Sequence, residues 1–536
     1  MTSQTPTDVA DLDPIDPHTD DEAVTDPRRR LLILITMCIA LGAVIASVSG
    51  LNVAQQALAG DIGASQSQLL WIINGYTLAL AALLLPIGAI GDRWGRKPVL
   101  VLGLVGFGAA NTASAFATTP EMLTVLRVAA GVAAAMIMPV TLSVLTTSFP
   151  ASERGKAVGI WAGVAGAGGI LGLFASAAII DNATWPWIFA VPVAMAAMAL
   201  VATTFVVPHS KEHTEGGFDI AGAILSVLAI GGIVLAIQEG PERGWSDMLT
   251  SIGLVVGIVA LAAFIWVELG REHPLLDVRT FSHRGLATGS VDLFVVFLVI
   301  FALFLILVQL LQAVFGYTAL QAAAGLLPMA IVMMPLAAVA PAFAHRFGYR
   351  RTLVFGMLLV AAGPALLAFV VDIDLGYISV LPGILVLGAG VGIAMSPSTT
   401  AITSALPEDK QGVASALNDT VREVGGAVGI ALIGSLLNSG YRSSISGKTD
   451  TLDPELAERV EEGIGGALVT AAQMGPEGAD LLTAARSAYL DGMQPALLFA
   501  TGLALIAAAY TAIAARHSDT ELPAPEPAPT TAGPRV

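Results

Sequence analysis

Residues 88–100 read GAIGDRWGRKPVL. An apolar run from about 69 to 90 stops at a charged turn carrying Asp92, Arg93, Arg96 and Lys97, and another apolar run starts at Pro98. Gly91 and Gly95 let two helices meet closely, because no Cβ stands between them. The cations Arg93, Arg96 and Lys97 fall within five residues and assign this turn to the cytoplasmic side, where Lys and Arg accumulate. A weaker echo, PAFAHRFGYRRTL at 341–353, also separates two apolar runs. The pair predicts two related halves.

The composition sets the solvent. Of 536 residues, 55% are hydrophobic and only 12% charged, against roughly 25% charged in a soluble domain. Apolar runs of about 20 residues recur along most of the chain, the length that crosses a hydrocarbon core about 30 Å thick. The alternation expected of membrane barrel strands is absent. The fold class is therefore an all-α polytopic membrane protein. Much of the net charge of −16 sits before Arg28 and in 450–491 and reads as solubilising charge, with no nucleic-acid partner implied. Cys38 is the only cysteine, so no intrachain disulfide can form, and its apolar surroundings give it a packing role. The first 27 residues are acidic and Pro-rich, unlike a cleavable signal.

Fourteen spans are predicted, near 31–50, 69–90, 98–117, 121–145, 157–180, 185–207, 218–238, 250–268, 286–311, 321–343, 351–371, 377–402, 411–437 and 494–515. With both termini inside, Arg93, Arg96, Lys97, Arg154, Lys156, Lys211, Arg271, Arg279, Arg284, Arg346, Arg350, Arg351 and Lys410 all fall in cytoplasmic loops. The domain reading follows: a disordered acidic tail (1–30), a six-helix bundle (31–210), two linker spans (211–285), a second six-helix bundle (286–515) and a flexible tail (516–536). The long loop 438–493 falls outside and is predicted to form short amphipathic helices, about 455–474 and 477–490, over the outer mouth.

Taken together, these features resemble the major facilitator superfamily, specifically its fourteen-helix drug:proton antiporters. Gly88, Asp92, Arg93, Gly95, Arg96 and Lys97 match the superfamily's cytoplasmic signature, and Arg127 with Gly131 matches a second one. The runs LLWIINGYTLAL at 69–80 and QLLQAVFGYTALQAAAGLLP at 309–328 are similar to quaternary-ammonium and multidrug exporters of this group. The resemblance implies two six-helix bundles plus two additional central spans, no cofactor, and proton-driven export of lipophilic, cationic drugs or antibiotics across a bacterial cytoplasmic membrane. It also implies a role for Arg127 in proton transfer, and a latch between Asp92 and the start of span 13. Two other readings stay open: a proton-coupled exporter of a narrow endogenous cargo, and a non-transporting membrane receptor or scaffold. The chain departs from the family in three places. Leu173 stands where the span 5 glycine ladder normally has proline, Ser47 where many relatives carry an acid, and Asn74 where several have Asp.

An ionisable side chain at the bilayer centre costs about 2.5–3.5 kcal/mol, so each one is a functional candidate. Span 13 carries three, Asp419, Arg422 and Glu423, in ALNDTVREVGGAVG. If that span starts near Gln411, a rise of about 1.5 Å per residue puts Asp419 roughly 12 Å and Glu423 roughly 18 Å inside. Desolvation favours the neutral carboxyl and a neighbouring guanidinium the ionised one, so a carboxyl held between them can respond to a proton gradient. The alternative is an internal Asp419–Arg422–Glu423 salt-bridge set that ties span 13 to a neighbour. Asp292, eight residues beyond Arg284, is a second proton site, a counter-ion for a cationic drug, or a capping residue. Arg127 either moves protons or satisfies carbonyls between packed helices.

A carboxylate at Asp92 complements a helix N-terminus, worth about 0.3–1 kcal/mol when exposed and up to ~2 kcal/mol when partly buried. The ladder Gly159, Gly163, Gly166, Gly168, Gly169 and Gly172 predicts a smooth face for close helix packing. For a substrate cavity, Trp71, Tyr76, Trp161, Met136, Met138, Met333 and Met334 offer aromatic and thioether surfaces. Asn74, Gln309, Gln312 and Asn418 offer amides, which need partners in hydrocarbon. No phosphate-binding loop is present, so the expected energy source is an ion gradient, and the expected partners are a small molecule, protons and lipid, with a monomeric protein.

Overall fold

In hydrocarbon every backbone N–H and C=O must be paired inside its own segment, so apolar runs of this length cross as helices. The computed structural model describes residues 24–64, 66–180, 182–208, 217–407, 410–449 and 452–515. Among these residues there are sixteen α-helices and no strand. Thirteen segments are long and apolar enough to cross a membrane. The fourteenth span, α3 (Arg96–Ser114), has 19 residues and opens on Arg96 and Lys97, which lower its apolar average. The acidic segment before Val24, Lys211 and the tail beyond Ala515 lie outside the described residues.

The amino-terminal bundle comprises α1 (Pro27–Asp61), α2 (Gln66–Trp94), α3, α4 (Pro120–Ser148), α5 (Ala151–Ile180) and α6 (Ala190–Val206). Two linker helices follow, α7 (Ile220–Arg243) and α8 (Met248–Gly270). The second bundle contains α9 (Arg284–Gln309), α10 (Ala319–Phe347), α11 (Tyr349–Val370), α12 (Tyr377–Ser404), α13 (Gln411–Ile445) and α16 (Ala479–Ala514). Within the bundles α1 packs on α5, α2 on α4, α9 on α13 and α10 on α12. The starts of α1, α4, α7, α8 and α10 are capped by Asp or Thr side chains, which satisfy N–H groups left unpaired there. Thr119 accepts from Met122 N, and Thr318 and Gln321 form a reciprocal capping box at α10.

The internal echo has a backbone counterpart. Gly95 joins α2 to α3 with φ 105°, ψ 135°, and Gly348 joins α10 to α11 with φ 90°, ψ 144°. Both lie in the left-handed region that glycine alone enters freely.

Helix ends differ from the sequence reading, in α1, which reaches Asp61 against the expected 50, and in α13 and α16. α13 has 35 residues and α16 has 36, about 50 Å each at 1.5 Å per residue, well beyond a hydrocarbon core of about 30 Å. The expected separate helix at 477–490 is instead the first third of α16, continuous through Pro495. The segment expected at 455–474 breaks at Gly463 into α14 (Pro454–Glu462) and α15 (Ile464–Met474). The overhanging ends are tied together: the Tyr441 hydroxyl donates to Val460 O at 3.0 Å and Ser444 Oγ to Asp491 Oδ2 at 2.7 Å.

Of the linker pair, α7 lies along α2 and α13, and α8 packs on α7. Gln238 Nε2 on α7 donates to Thr77 Oγ1 on α2 at 2.9 Å, and a Cβ on Gly231 would sit 3.3 Å from Ala82. Phe205, Trp266 and Ile513 are exposed on the outer surface, as expected where the solvent is lipid.

Candidate transport site at the seam between the bundles

The bundles meet at the end where α1 begins and α16 finishes. There Gly88 of α2 lies so close to Gly412 of α13 that a Cβ on Gly88 would collide with the Gly412 carbonyl and sit 2.7 Å from Ala416 Cβ. The buried carboxylate of Asp92, one turn on, accepts the Gly412 N–H on both oxygens at 2.8 Å and the Val413 N–H at 3.2 Å. Arg96, also buried, holds the same carboxylate at 3.2 Å. Three donors and a helix N-terminus thus converge on one anion. Lys97 turns away and donates to Thr204 O and Val207 O at 2.8 and 2.9 Å, closing the end of α6. Arg93, on the last turn of α2, is half-buried. The close approach falls on Gly88 rather than Gly91, whose Cβ position faces Val140 at 3.3 Å within the same bundle.

A second closure is related to the first by the internal repeat. Pro341 of α10 holds the place that Gly88 holds in α2, and its Cβ lies 3.3 Å from the Cβ position of Gly155 at the start of α5. The α5 ladder continues this contact but does not form one face. At 3.6 residues per turn, positions 159, 163 and 166 share one side and 168 and 172 the other. Gly159 faces Ala337 O and Gly163 faces Met334 on α10, whereas Gly168 faces Ile45 and Gly172 faces Ala46 on α1. The single smooth face expected from the sequence is therefore two, one between bundles and one within. α5 carries no internal proline, and Leu173 is buried in a helix that runs unbroken to Ile180.

At mid-depth α13 presents its charged residues. Arg422 NH1 donates to Asp419 Oδ1 at 2.9 Å, and both side chains are buried. Arg422 Cζ lies 4.5 Å from the Phe297 ring of α9 and 5.3 Å from the Trp161 ring of α5 in the opposite bundle. This cation is held between aromatic faces across the seam. Trp161 is itself fixed by a 3.1 Å bond from Nε1 to Thr141 Oγ1. Asn418 Nδ2 donates to Asp419 Oδ1 at 3.2 Å, while Asp419 Oδ2 has no donor among the described residues.

Glu423 differs from its neighbours. Its side chain is half-buried, and it has no hydrogen bond or ion pair among the described residues. It lies within electrostatic range of Arg422 and Asp419 and of Tyr76 in the opposite bundle. The anticipated three-membered salt bridge is thus a pair, Asp419–Arg422, with Glu423 outside it.

Arg127 is buried in the amino-terminal bundle with neutral partners. NH1 donates to Ser47 Oγ at 2.7 Å, NH2 to Ser47 O at 3.2 Å and Nε to Ile72 O at 3.4 Å. The Tyr76 ring lies 4.2 Å from its Cζ. Ser47 in turn donates to Asn111 Oδ1 at 2.9 Å. The serine that replaces the usual acid therefore stands directly against the arginine.

Several sequence candidates are placed elsewhere. Asp292 is enclosed between α9 and α16, where Thr511 Oγ1 lies 2.8 and 2.9 Å from its two oxygens. That burial inside one bundle removes it from the seam. Tyr76, expected at a cavity wall, is fully buried with its hydroxyl donating to Val44 O at 3.1 Å. Gln309 ends the 26-residue α9 and Gln312 sits in the π-turn that follows; at about 1.5 Å per residue both lie near the far end of the span, not at mid-depth. Met138 and Met333 are buried, while Trp71, Asn74, Met136 and Met334 are half-buried. Phe297 and Asn111 were not legible as site residues, because an isolated aromatic and an isolated amide carry no spacing signal.

Two six-helix bundles, clasped at one end and charged along their seam, define a polytopic α-helical carrier. A family model described as Major Facilitator Superfamily matches residues 34–430, and the chain belongs to that superfamily. It is 33% identical over 462 residues to the multidrug efflux pump LfrA of Mycolicibacterium smegmatis, covering 86% of this chain and 91% of the relative. It is 30% identical over 480 residues to the methyl viologen resistance protein SmvA of Salmonella typhimurium, covering 89% of this chain and 96% of that one. Among solved structures, the human organic anion transporter MFSD10 (TETRAN) superposes with a TM-score of 0.57 at 14% identity, covering 91% of this chain and all of that one, a likeness of fold.

Proposed function

We propose that this protein is a proton-driven exporter of lipophilic cationic drugs or antibiotics from a bacterial cytoplasm, and that Glu423 is the group that exchanges proton for cargo. One observation carries the assignment: Glu423 is the carboxyl on the seam that is half-buried and unpaired among the described residues, within electrostatic range of Arg422 and of Tyr76. Asp419 is occupied by Arg422 and serves to hold that cation over Phe297 and Trp161. When Glu423 is ionised it attracts a cation, and when protonated it releases one; proton and cargo thus compete for one site. The methyl viologen resistance of a relative, SmvA, supports a cationic cargo. The termini and the Asp92 clasp lie on the cytoplasmic side, since Arg93, Arg96, Lys97, Arg346, Arg350 and Arg351 gather there. Residues 31–210 and 286–515 act as the two rocking units, 211–285 as their linker, and the protein works as a monomer. Arg127 keeps the amino-terminal half rigid through Ser47 rather than carrying the proton.

The test is energised uptake of a lipophilic cationic dye into inverted vesicles. Wild type is expected to accumulate dye and to lose that activity when the pH difference is collapsed. Glu423→Gln is expected to abolish gradient-driven uptake while leaving downhill exchange. Full gradient-driven uptake by E423Q at normal expression overturns the assignment.

A further inference from the structure

A second buried acid site lies in the linker pair, away from the seam. Asp219 caps the start of α7, with Oδ1 accepting Gly222 N at 2.8 Å and lying 3.6 Å from Arg271 NH2. Glu268, on the last turn of α8, is fully buried, and its Oε2 accepts Leu276 N at 3.1 Å. The remaining oxygens, Asp219 Oδ2 and Glu268 Oε1, are buried and receive no N–H or hydroxyl donor. They face each other over Gly222, where a Cβ would collide with the Glu268 carboxyl and sit 3.0 Å from Asp219 Oδ2, so both unpartnered oxygens lie against the same point.

An ionised carboxylate only accepts hydrogen bonds, so two buried carboxyl oxygens that face each other with no other donor are satisfied by a proton between them. We propose that Asp219 and Glu268 form a proton-binding site in which Glu268 carries the proton on Oε1 and donates it to Asp219 Oδ2. Asp219 is the acceptor, because its other oxygen already caps the α7 N-terminus and lies 3.6 Å from Arg271 NH2. The other charged groups near the pair are otherwise engaged or belong to neighbouring elements. Arg279 donates to Leu269 O and sits beside Asp277, Lys410 donates to Pro274 O, and α2 brings Arg93 to the same end.

The site is linked to the clasp. Glu268 holds the segment 271–277 through Leu276, and Pro274 O in that segment accepts Lys410 Nζ at 3.1 Å. Lys410 immediately precedes Gln411 and the Gly412 N–H that Asp92 receives. Loss of the shared proton sets two buried anions against each other and loosens the segment that steadies the start of α13.

Infrared difference spectroscopy and hydrogen–deuterium exchange on the full-length protein in lipid nanodiscs test this. Glu268→Gln reproduces the protonated shape, so it is expected to remove protonated-carboxyl absorbance at neutral pH relative to wild type. In wild type, exchange in 271–277, corrected for intrinsic pH dependence, is expected to rise several-fold at alkaline pH, and in E268Q to stay low throughout. Asp219→Asn, which still caps α7, is the second variant and is expected to flatten the same profile. Unchanged carboxyl absorbance in E268Q, or parallel exchange profiles in wild type and both variants, overturns the proposal. So does loss of the wild-type band on adding magnesium or calcium, which would make the bound ligand a divalent cation.

Discussion

Asp92 on α2 takes the Gly412 backbone N–H on both carboxylate oxygens, 2.8 Å each, across the seam and 320 residues along the chain. The charge meets the N-terminus of a 35-residue helix and is shared with buried Arg96. Such an anion is worth about 1–2 kcal/mol in a partly buried setting. Asp92→Asn is therefore expected to shift the balance away from the clasped state by about 5- to 30-fold. Spin-label distances between α2 and α13 read that shift directly.

Gly88 gives the same closure a steric test. With Gly412 O and Ala416 Cβ against it, Gly88→Val cannot reach the clasped arrangement without moving α13. Transport is expected to fall at least about tenfold, the effect of roughly 1.4 kcal/mol on a required state. Thermal stability should change little, because neither bundle is disturbed internally. Gly172→Val, facing Ala46 and Ser49 inside its own bundle, should lower the melting temperature as well.

Asp419 and Glu423 should separate by the kind of damage they cause. Asp419→Asn leaves the buried Arg422 without a counter-ion, a loss of about 3–5 kcal/mol when a buried pair is broken on one side. Glu423→Gln breaks no ion pair and should melt within about 0.5 kcal/mol of wild type while abolishing gradient coupling. Adding Arg422→Gln to D419N should recover much of the lost stability. Calorimetry and vesicle uptake on the same preparations check all three.

Ser47 carries the charge of Arg127 through a neutral contact of 2.7 Å. Ser47→Ala removes that acceptor from a buried guanidinium and should cost about 1.5–3 kcal/mol, the range for hydrogen bonds to charged groups. Ser47→Asp should restore an ion pair there and raise the melting temperature above that of S47A. If S47D also creates a second pH-sensitive step in transport, Arg127 is more than a structural anchor.

Much was legible from composition and spacing alone. A hydrocarbon solvent permits few solutions, so runs of about 20 apolar residues had to become spanning helices. Loop cations then ordered them. The charged turn at 88–100 and its echo at 341–353 marked the two halves; a carboxylate at Asp92 could be read as complementing a helix N-terminus, while the choice of the start of span 13 as that helix came from the family resemblance. Where helices stop beyond the membrane was not legible, since water and packing both tolerate an extra turn, as in α13 and α16. The same holds for the ladder in α5, whose spacing gives two faces but not which neighbour each face meets.

The solvent of this chain, its fourteen crossings and the inventory of charges in oil were settled by the order of its residues, because inserting a segment depends on that segment's own hydropathy. Which charges are paired was settled only by tertiary structure. Asp419 and Glu423 differ by one turn on one helix, yet the first is ion-paired with Arg422 and the second is not. Ser47 became the partner of Arg127 across 80 residues of chain, and Glu268 came to face Asp219 over Gly222. Coulomb and hydrogen-bond energies act over a few ångströms in space, and distance along the chain does not encode them.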